Sequence, residues 1–151
     1  MSDEVVADVG QLVEHAGLLG ISIVKIAAER FDDVQPSEDF EIEPRYSLVF
    51  MLRDDAAGFR VRIETDIELP VGSVSCAVAA EYGLEGLVVR KGSTVALQEF
   101  VNNVALMHVL PFTRQAIADV TQRVFNAPLL MPIIQRGAIS FELETPATVP
   151  D

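Results

Sequence analysis

The sequence predicts an α+β domain: a four-stranded antiparallel sheet, a short helix before it, and a long proline-kinked helix pair packed on it. Three observations predict this. Apolar residues alternate with polar ones over three successive segments between Phe40 and Tyr82. The links between them, "DDAAG" and "PVG", are short and rich in turn residues. From Ser93 onward the apolar spacing changes to the helical period. At 151 residues the chain is most economically one domain covering 1–151.

Taken in order, Val5, Val6, Val9, Leu12 and Val13 are spaced for a helix from about Asp3 to Glu14, which Gly17 and Gly20 would close. "ISIVKI" reads as a strand whose apolar parity changes between Ile23 and Val24, the mark of a bulge or of burial on both sides. Arg30 to Glu43 is an acidic loop around Pro36, with Phe31, Val34, Phe40 and Ile42 embedded in it. A charge run is ordinarily a solvated face, but embedded apolar residues can make one a docking edge.

The next three strands are the clearest segments. Tyr46, Leu48, Phe50 and Leu52 alternate, as do Phe59, Val61, Ile63, Ile67 and Leu69, and then Val74, Cys76, Val78, Ala80 and Tyr82. Arg60, Arg62, Glu64, Asp66 and Glu68 fall between, so the expected meander has one apolar and one charged face.

After "EYGLEGLVVRKG", Ser93 or Thr94 can cap a helix to about Leu110. Ala96, Leu97, Phe100, Val101, Val104 and Met107 form one apolar arc, but Val95, Leu106 and Leu110 fall on the opposite side. A helix apolar on two faces needs two covers, and with one sheet in the chain the second cover would come from another subunit. Pro111 lacks a backbone donor and collides with the preceding turn, so it should end or kink the helix. The second helix carries Ile117, Val120 and Val124, "NAPLLMP" stops it, and Ile139, Phe141 and Leu143 alternate in a final strand or extended arm.

Composition narrows the function classes. With 23 acidic and 11 basic residues the net charge is −12, which disfavours nucleic acid and steers basic or unfolded cationic partners inward at low salt. Half the residues are hydrophobic, a combination suited to a protein that exposes apolar surface while its copies repel. No apolar run reaches the length of a membrane helix, so no membrane insertion is expected. The acidic start lacks a signal peptide's basic flank. The single Cys76 excludes an intramolecular disulfide and fits a cytoplasmic location.

Catalytic signatures are wanting. His15, His108 and Cys76 could meet only by tertiary accident, and neither a nucleophile elbow nor HExxH or CxxC accompanies them. "GLEG" and "VRKGST" lack phosphate-loop spacing, and no DxDxDG calcium loop occurs. The expectation is a non-enzyme with no cofactor and no metal.

"LPFTRQAIADVTQRVFNAPLLMP" resembles the C-terminal part of the bacterial protein-export chaperone SecB family. The resemblance rests on Pro111, Phe112, Arg114, Gln115, Arg123 and Pro128, followed by Leu129, Leu130 and Met131. It is densest over these residues, and the order of four strands and a long helix agrees over most of the chain. It implies a homotetramer, a dimer of dimers with long helices held between sheets, in which Val95, Asn102, Leu106, Val109 and Leu110 would meet another subunit. It also implies nucleotide-free binding of unfolded or nascent polypeptides in apolar grooves. Candidate client contacts are Phe31, Val34, Phe40, Ile42, Leu84, Leu87, Met131, Ile133 and Ile134.

Two departures qualify the resemblance. Members that deliver to the SecA motor carry an acid between apolar residues on the last strand, where this chain has Cys76-Ala77-Val78. The sequence also closes on "FELETPATVPD", without the helix and tail that help the family engage SecA. Some SecB-like proteins instead protect an antitoxin in a toxin–antitoxin system, and a dedicated adaptor for one partner is the alternative reading.

Overall fold

In the computed structural model, residues 4–32, 42–131, 134 and 137–143 are described. The N-terminus departs from the expected helix. Glu4–Val5 (β1) pairs in parallel with Leu87–Val88 (β6), and Val6 N–H donates to the Val88 carbonyl at 3.0 Å. The helix α1 spans only Val9–His15. Its start is set by side chains: Asp8 Oδ1 accepts from Gln11 N–H at 3.0 Å, and Gln11 Oε1 accepts from Asp8 N–H at 3.1 Å. This reciprocal cap satisfies donors that the first turn leaves free.

Gly17 and Gly20 do not end the helix region in a turn. The chain passes straight from α1 into a 15-residue strand, β2 (Ala16–Arg30), which runs through both glycines. β3 (Arg45–Leu52), β4 (Gly58–Leu69) and β5 (Gly72–Leu84) follow as the expected antiparallel meander. β2 joins the free side of β5, giving the order β2-β5-β4-β3. The register slips between Ile23 and Lys25, where Val24 is the extra residue, so the change of parity in "ISIVKI" does mark a bulge. A second slip lies between Leu18 and Gly20.

The alternation sorts the two faces as expected. Phe59, Val61, Ile63, Ile67, Val74, Cys76, Val78, Ala80 and Tyr82 are buried. On the opposite face Lys25 Nζ lies 3.1 Å from Glu64 Oε1, and Arg62 lies 3.6 Å from Glu64 Oε2. These pairs are partly solvated and each contributes only tenths of a kcal/mol, about 0.2–1. Where β5 begins, a side chain at Gly72 would put its Cβ 1.9 Å from the Glu29 carbonyl oxygen, so only glycine fits.

The long helical region corrects two expectations. It begins with a 3₁₀ turn (Lys91–Ser93) and α2 (Thr94–Phe100), passes through a π-helical stretch at Val101–Ala105, and continues as α3 (Leu106–Phe125). The helix runs through Pro111, and the irregularity falls one to two turns earlier, where Leu106 N–H bonds to the Val101 carbonyl five residues back. That wider turn rotates everything after it relative to a regular helical wheel. Leu106 and Leu110 therefore join the buried face instead of forming a second apolar face. α3 packs across β2 and β5, and Asn126 ends it in the left-handed conformation at φ 63°.

Ser93 does not cap α2 with its side chain. Its hydroxyl donates to the Val6 carbonyl at 2.6 Å and accepts from Arg90 N–H at 3.1 Å, pinning the N-terminal segment to the start of the helix. Residues 137–143 form no strand; they lie as an arm against α2 and the π stretch.

Candidate polypeptide-binding surface

The centre of the molecule is closed. Phe59 stacks between Phe50 at 5.4 Å and Tyr82 at 5.2 Å, and Phe100 meets both Phe59 and Tyr82 edge-on. The Tyr82 hydroxyl and His108 Nδ1 are 2.8 Å apart, joining sheet to helix. Burial pushes the Tyr82 hydroxyl far above its ordinary range, so it stays protonated and can donate to the imidazole. Cys76 is fully buried, and burial pushes its thiol up to about 11, which leaves an inert core residue rather than a nucleophile. Among the described residues no group of three or more His, Cys, Asp or Glu gathers to hold a metal.

The open apolar surface lies at the rims. β2 pairs on one side only, and its Leu18, Leu19, Ile23, Val24 and Ile26 are 44, 65, 51, 37 and 44% exposed. Leu18, Ile23 and Ile26 sit opposite the buried Tyr82, Val78 and Cys76, so the core face of the sheet continues onto the exposed edge strand. The opposite edge, β3, half-buries Tyr46, Leu48, Phe50 and Leu52 and exposes Val49 and Met51. Among the described residues neither outer edge has a strand partner, the feature by which a sheet recruits an extended chain.

Shallow hollows lie on the sheet and beside the long helix. One, of about 330 Å³, is lined by Leu19, Met51, Leu52, Arg53, Phe59, Arg60, Glu81 and Tyr82. Its charges are partly matched within the chain: Arg53 Nε is 2.7 Å from Asp55 Oδ1, and Arg60 Nε is 4.0 Å from Glu81. The hydrogen bond from Arg53 holds the Asp55 carboxyl below its usual range. The other, of about 420 Å³, lies between α3 and the segment after it, lined by Pro111, Arg114, Gln115, Ala118, Leu130 and Met131. Phe112 and Leu130 stand exposed nearby, Leu130 at 75%.

The sequence-derived client candidates scatter over these environments. Phe31 is exposed, and Ile42 and Ile134 are half-buried against the core. Leu84 and Leu87 are buried within the subunit as part of its core. Met131 is also buried, although it forms part of the floor of the hollow beside Pro111. Val34, Phe40 and Ile133 lie outside the described residues.

Of the five candidate interface residues, only Val95 stands in solvent, at 71% exposure. Leu106, Val109 and Leu110 are buried inside the subunit. Asn102 is engaged by the chain's own arm: its Oδ1 accepts from Phe141 N–H at 2.7 Å and its Nδ2 donates to the Phe141 carbonyl at 2.8 Å. The second cover of this helix is thus supplied in part by the same chain.

Sequence reasoning passed over Leu18, Leu19, Ile23, Val24 and Ile26 as site residues. The available signal was the run "LLGISIVKI", which has a single charge and is too apolar for a solvated edge. Asn102 was expected to meet another subunit, and nothing in the sequence marked it or Gln98 as holding the chain's own arm.

Neither a protein-family model nor a curated protein matches the chain. Among solved structures, it resembles the Mycobacterium tuberculosis Rv1957 SecB-like chaperone in complex with a ChAD peptide from the Rv1956 HigA1 antitoxin. The TM-score is 0.71 at 17% identity, covering 84% of this chain and 96% of that one. A protein of unknown function from Streptococcus agalactiae is also similar, with a TM-score of 0.53 at 12% identity, covering 78% of this chain and 97% of the other. At these identities the likeness is one of architecture, and the fold of this chain is that of the SecB-like chaperones.

Proposed function

We propose that this chain is an ATP-independent holdase that binds unfolded or nascent polypeptides on apolar surface and keeps them competent for export or assembly. It works in the cytoplasm as a homotetramer, without cofactor or catalysis. The observation that carries this reading is apolar surface left open at both sheet edges of a subunit with the SecB-like fold, Leu18, Leu19, Ile23, Val24 and Ile26 on β2 and Val49 and Met51 on β3. One β2 edge would pair with a second copy, and the β3 edge and the hollow beside Pro111 would take clients. Each client Leu, Val or Phe fully buried contributes roughly 1.5–3 kcal/mol before ordering costs. Several such sites on one assembly raise avidity.

A dedicated client is the second reading, favoured by the antitoxin peptide carried by the Mycobacterium tuberculosis protein. Delivery to SecA is not part of the proposal. Ala77 is fully buried and lies in register with Lys25 and Glu64, themselves an ion pair, so that stretch offers no free acidic contact.

The test is light scattering of a chemically unfolded client diluted with and without the protein, in the absence of nucleotide, beside a mass measurement of the protein alone. Suppression that saturates with tetramer concentration is expected. A monomer that leaves client aggregation unchanged would end the reading.

A further inference from the structure

The arm at residues 137–143 is held in an unusual way. It belongs to neither sheet. Its backbone is read by side-chain amides of the helix: Asn102 bonds both the N–H and the carbonyl of Phe141, and Gln98 Oε1 accepts from Leu143 N–H at 3.0 Å. Gln98 and Asn102 are four residues apart on one helix face, a rise of about 6 Å. Alternate residues of an extended chain repeat at about 6.6 Å. The two spacings match, so the amide row can follow any extended backbone in steps of two residues. Ile139, Phe141 and Leu143, also two apart, are half-buried against the core.

We propose that this seat is a polypeptide-binding groove, and that residues 137–143 are its resident occupant, displaced by an extended client segment with apolar side chains two residues apart. The inference rests on the proposed holdase function and names a client site for it. Recognition through the backbone makes the groove tolerant of sequence, as binding to unfolded chains requires. The resident arm is fastened by these three hydrogen bonds and three half-buried side chains, contacts that a client segment of the same pattern can reproduce. Gly137, at φ 91°, makes the turn that leads the arm onto its seat. One turn before Gln98, the exposed Val95 extends the same face.

The probe is a fluorescent synthetic peptide, GAISFEL, identical to residues 137–143. With Phe141→Asp in the full-length protein the arm loses its central apolar contact, and the peptide should bind about tenfold tighter than to the unsubstituted protein, because the groove is vacated. Adding Asn102→Ala should abolish that gain. In the unsubstituted, isotope-labelled protein, excess unlabelled peptide should speed hydrogen exchange at the Phe141 and Leu143 amides, a readout that needs no variant to fold. A folded Phe141→Asp protein with unchanged affinity, or amides that peptide leaves untouched, would overturn the groove. Client aggregation is followed in the same samples. Suppression without a gain in peptide binding sinks the groove alone, whereas peptide binding without suppression sinks the holdase reading.

Discussion

β5 and β2 are neighbouring strands of similar length and similar apolar content, yet they meet opposite fates. On β5, Val74, Cys76, Val78, Ala80 and Tyr82 are closed between the sheet and the helix. On β2, the residues directly opposite them, such as Ile23 and Ile26, remain about half exposed, and no residue of the strand is buried. The difference is one of neighbours, not of composition: α3 packs across both strands, but among the described residues β5 is paired on both sides and β2 on one. Apolar surface that a fold leaves at its rim is surface offered to something else.

The strongest break in this comparison is Phe59→Ala, which removes the ring stacked between Phe50 and Tyr82. It should cost about 3–5 kcal/mol by denaturant unfolding. Gly72→Ala drives a methyl into the Glu29 carbonyl at the point where β5 meets β2, and should cost about 2–3 kcal/mol in the same assay.

Alkaline titration examines the closed side. The Cys76 thiol titrates at about 11 in the folded chain against an ordinary 9.0, so the folded state holds that proton more tightly. Its stabilising contribution is therefore complete below pH 9 and falls as pH rises toward 11, by about 2 kcal/mol. Thermal melts from pH 8 to 11 should show the decline, and Cys76→Ala should reduce it. Tyr82→Phe deletes the hydroxyl paired with His108 and should cost about 1 kcal/mol while leaving the ring stack in place.

The smallest effect on folding belongs to the rim. Ile23→Lys places a charge on the open edge and should change subunit stability by no more than about 0.5 kcal/mol. It should nevertheless lower the assembly mass seen by light scattering. If it unfolds the subunit as badly as Phe59→Ala, the contrast between the two strands is wrong.

Much of the fold was legible beforehand because its signals are local. Alternation depends only on successive side chains pointing to opposite faces, so β3, β4 and β5 could be assigned from their own residues. The bulge at Val24 announced itself through the same parity. The candidate site was much less legible. Leu84 shares the apolar parity of Val74 to Tyr82, so its burial was legible, whereas Leu87 carries no local mark and its place depends on the pairing of β6 with β1. Leu106 and Leu110 were assigned to the wrong side because one π-helical turn shifts the helical phase.

The sequence by itself determined the three strands of the meander, their apolar and charged faces, the presence of a long helical region after Ser93, and a charge of −12 on a chain half hydrophobic. Tertiary structure alone decided that β2 lies outside β5, that Ser93 pins the N-terminus, and that Asn102 and Gln98 hold the arm. The reason is distance along the chain. Periodicity reports a residue's relation to neighbours a few positions away, whereas Ser93 and Val6 are 87 residues apart and Asn102 and Phe141 are 39. Contacts of that separation are chosen by how whole elements pack, and no local pattern encodes them.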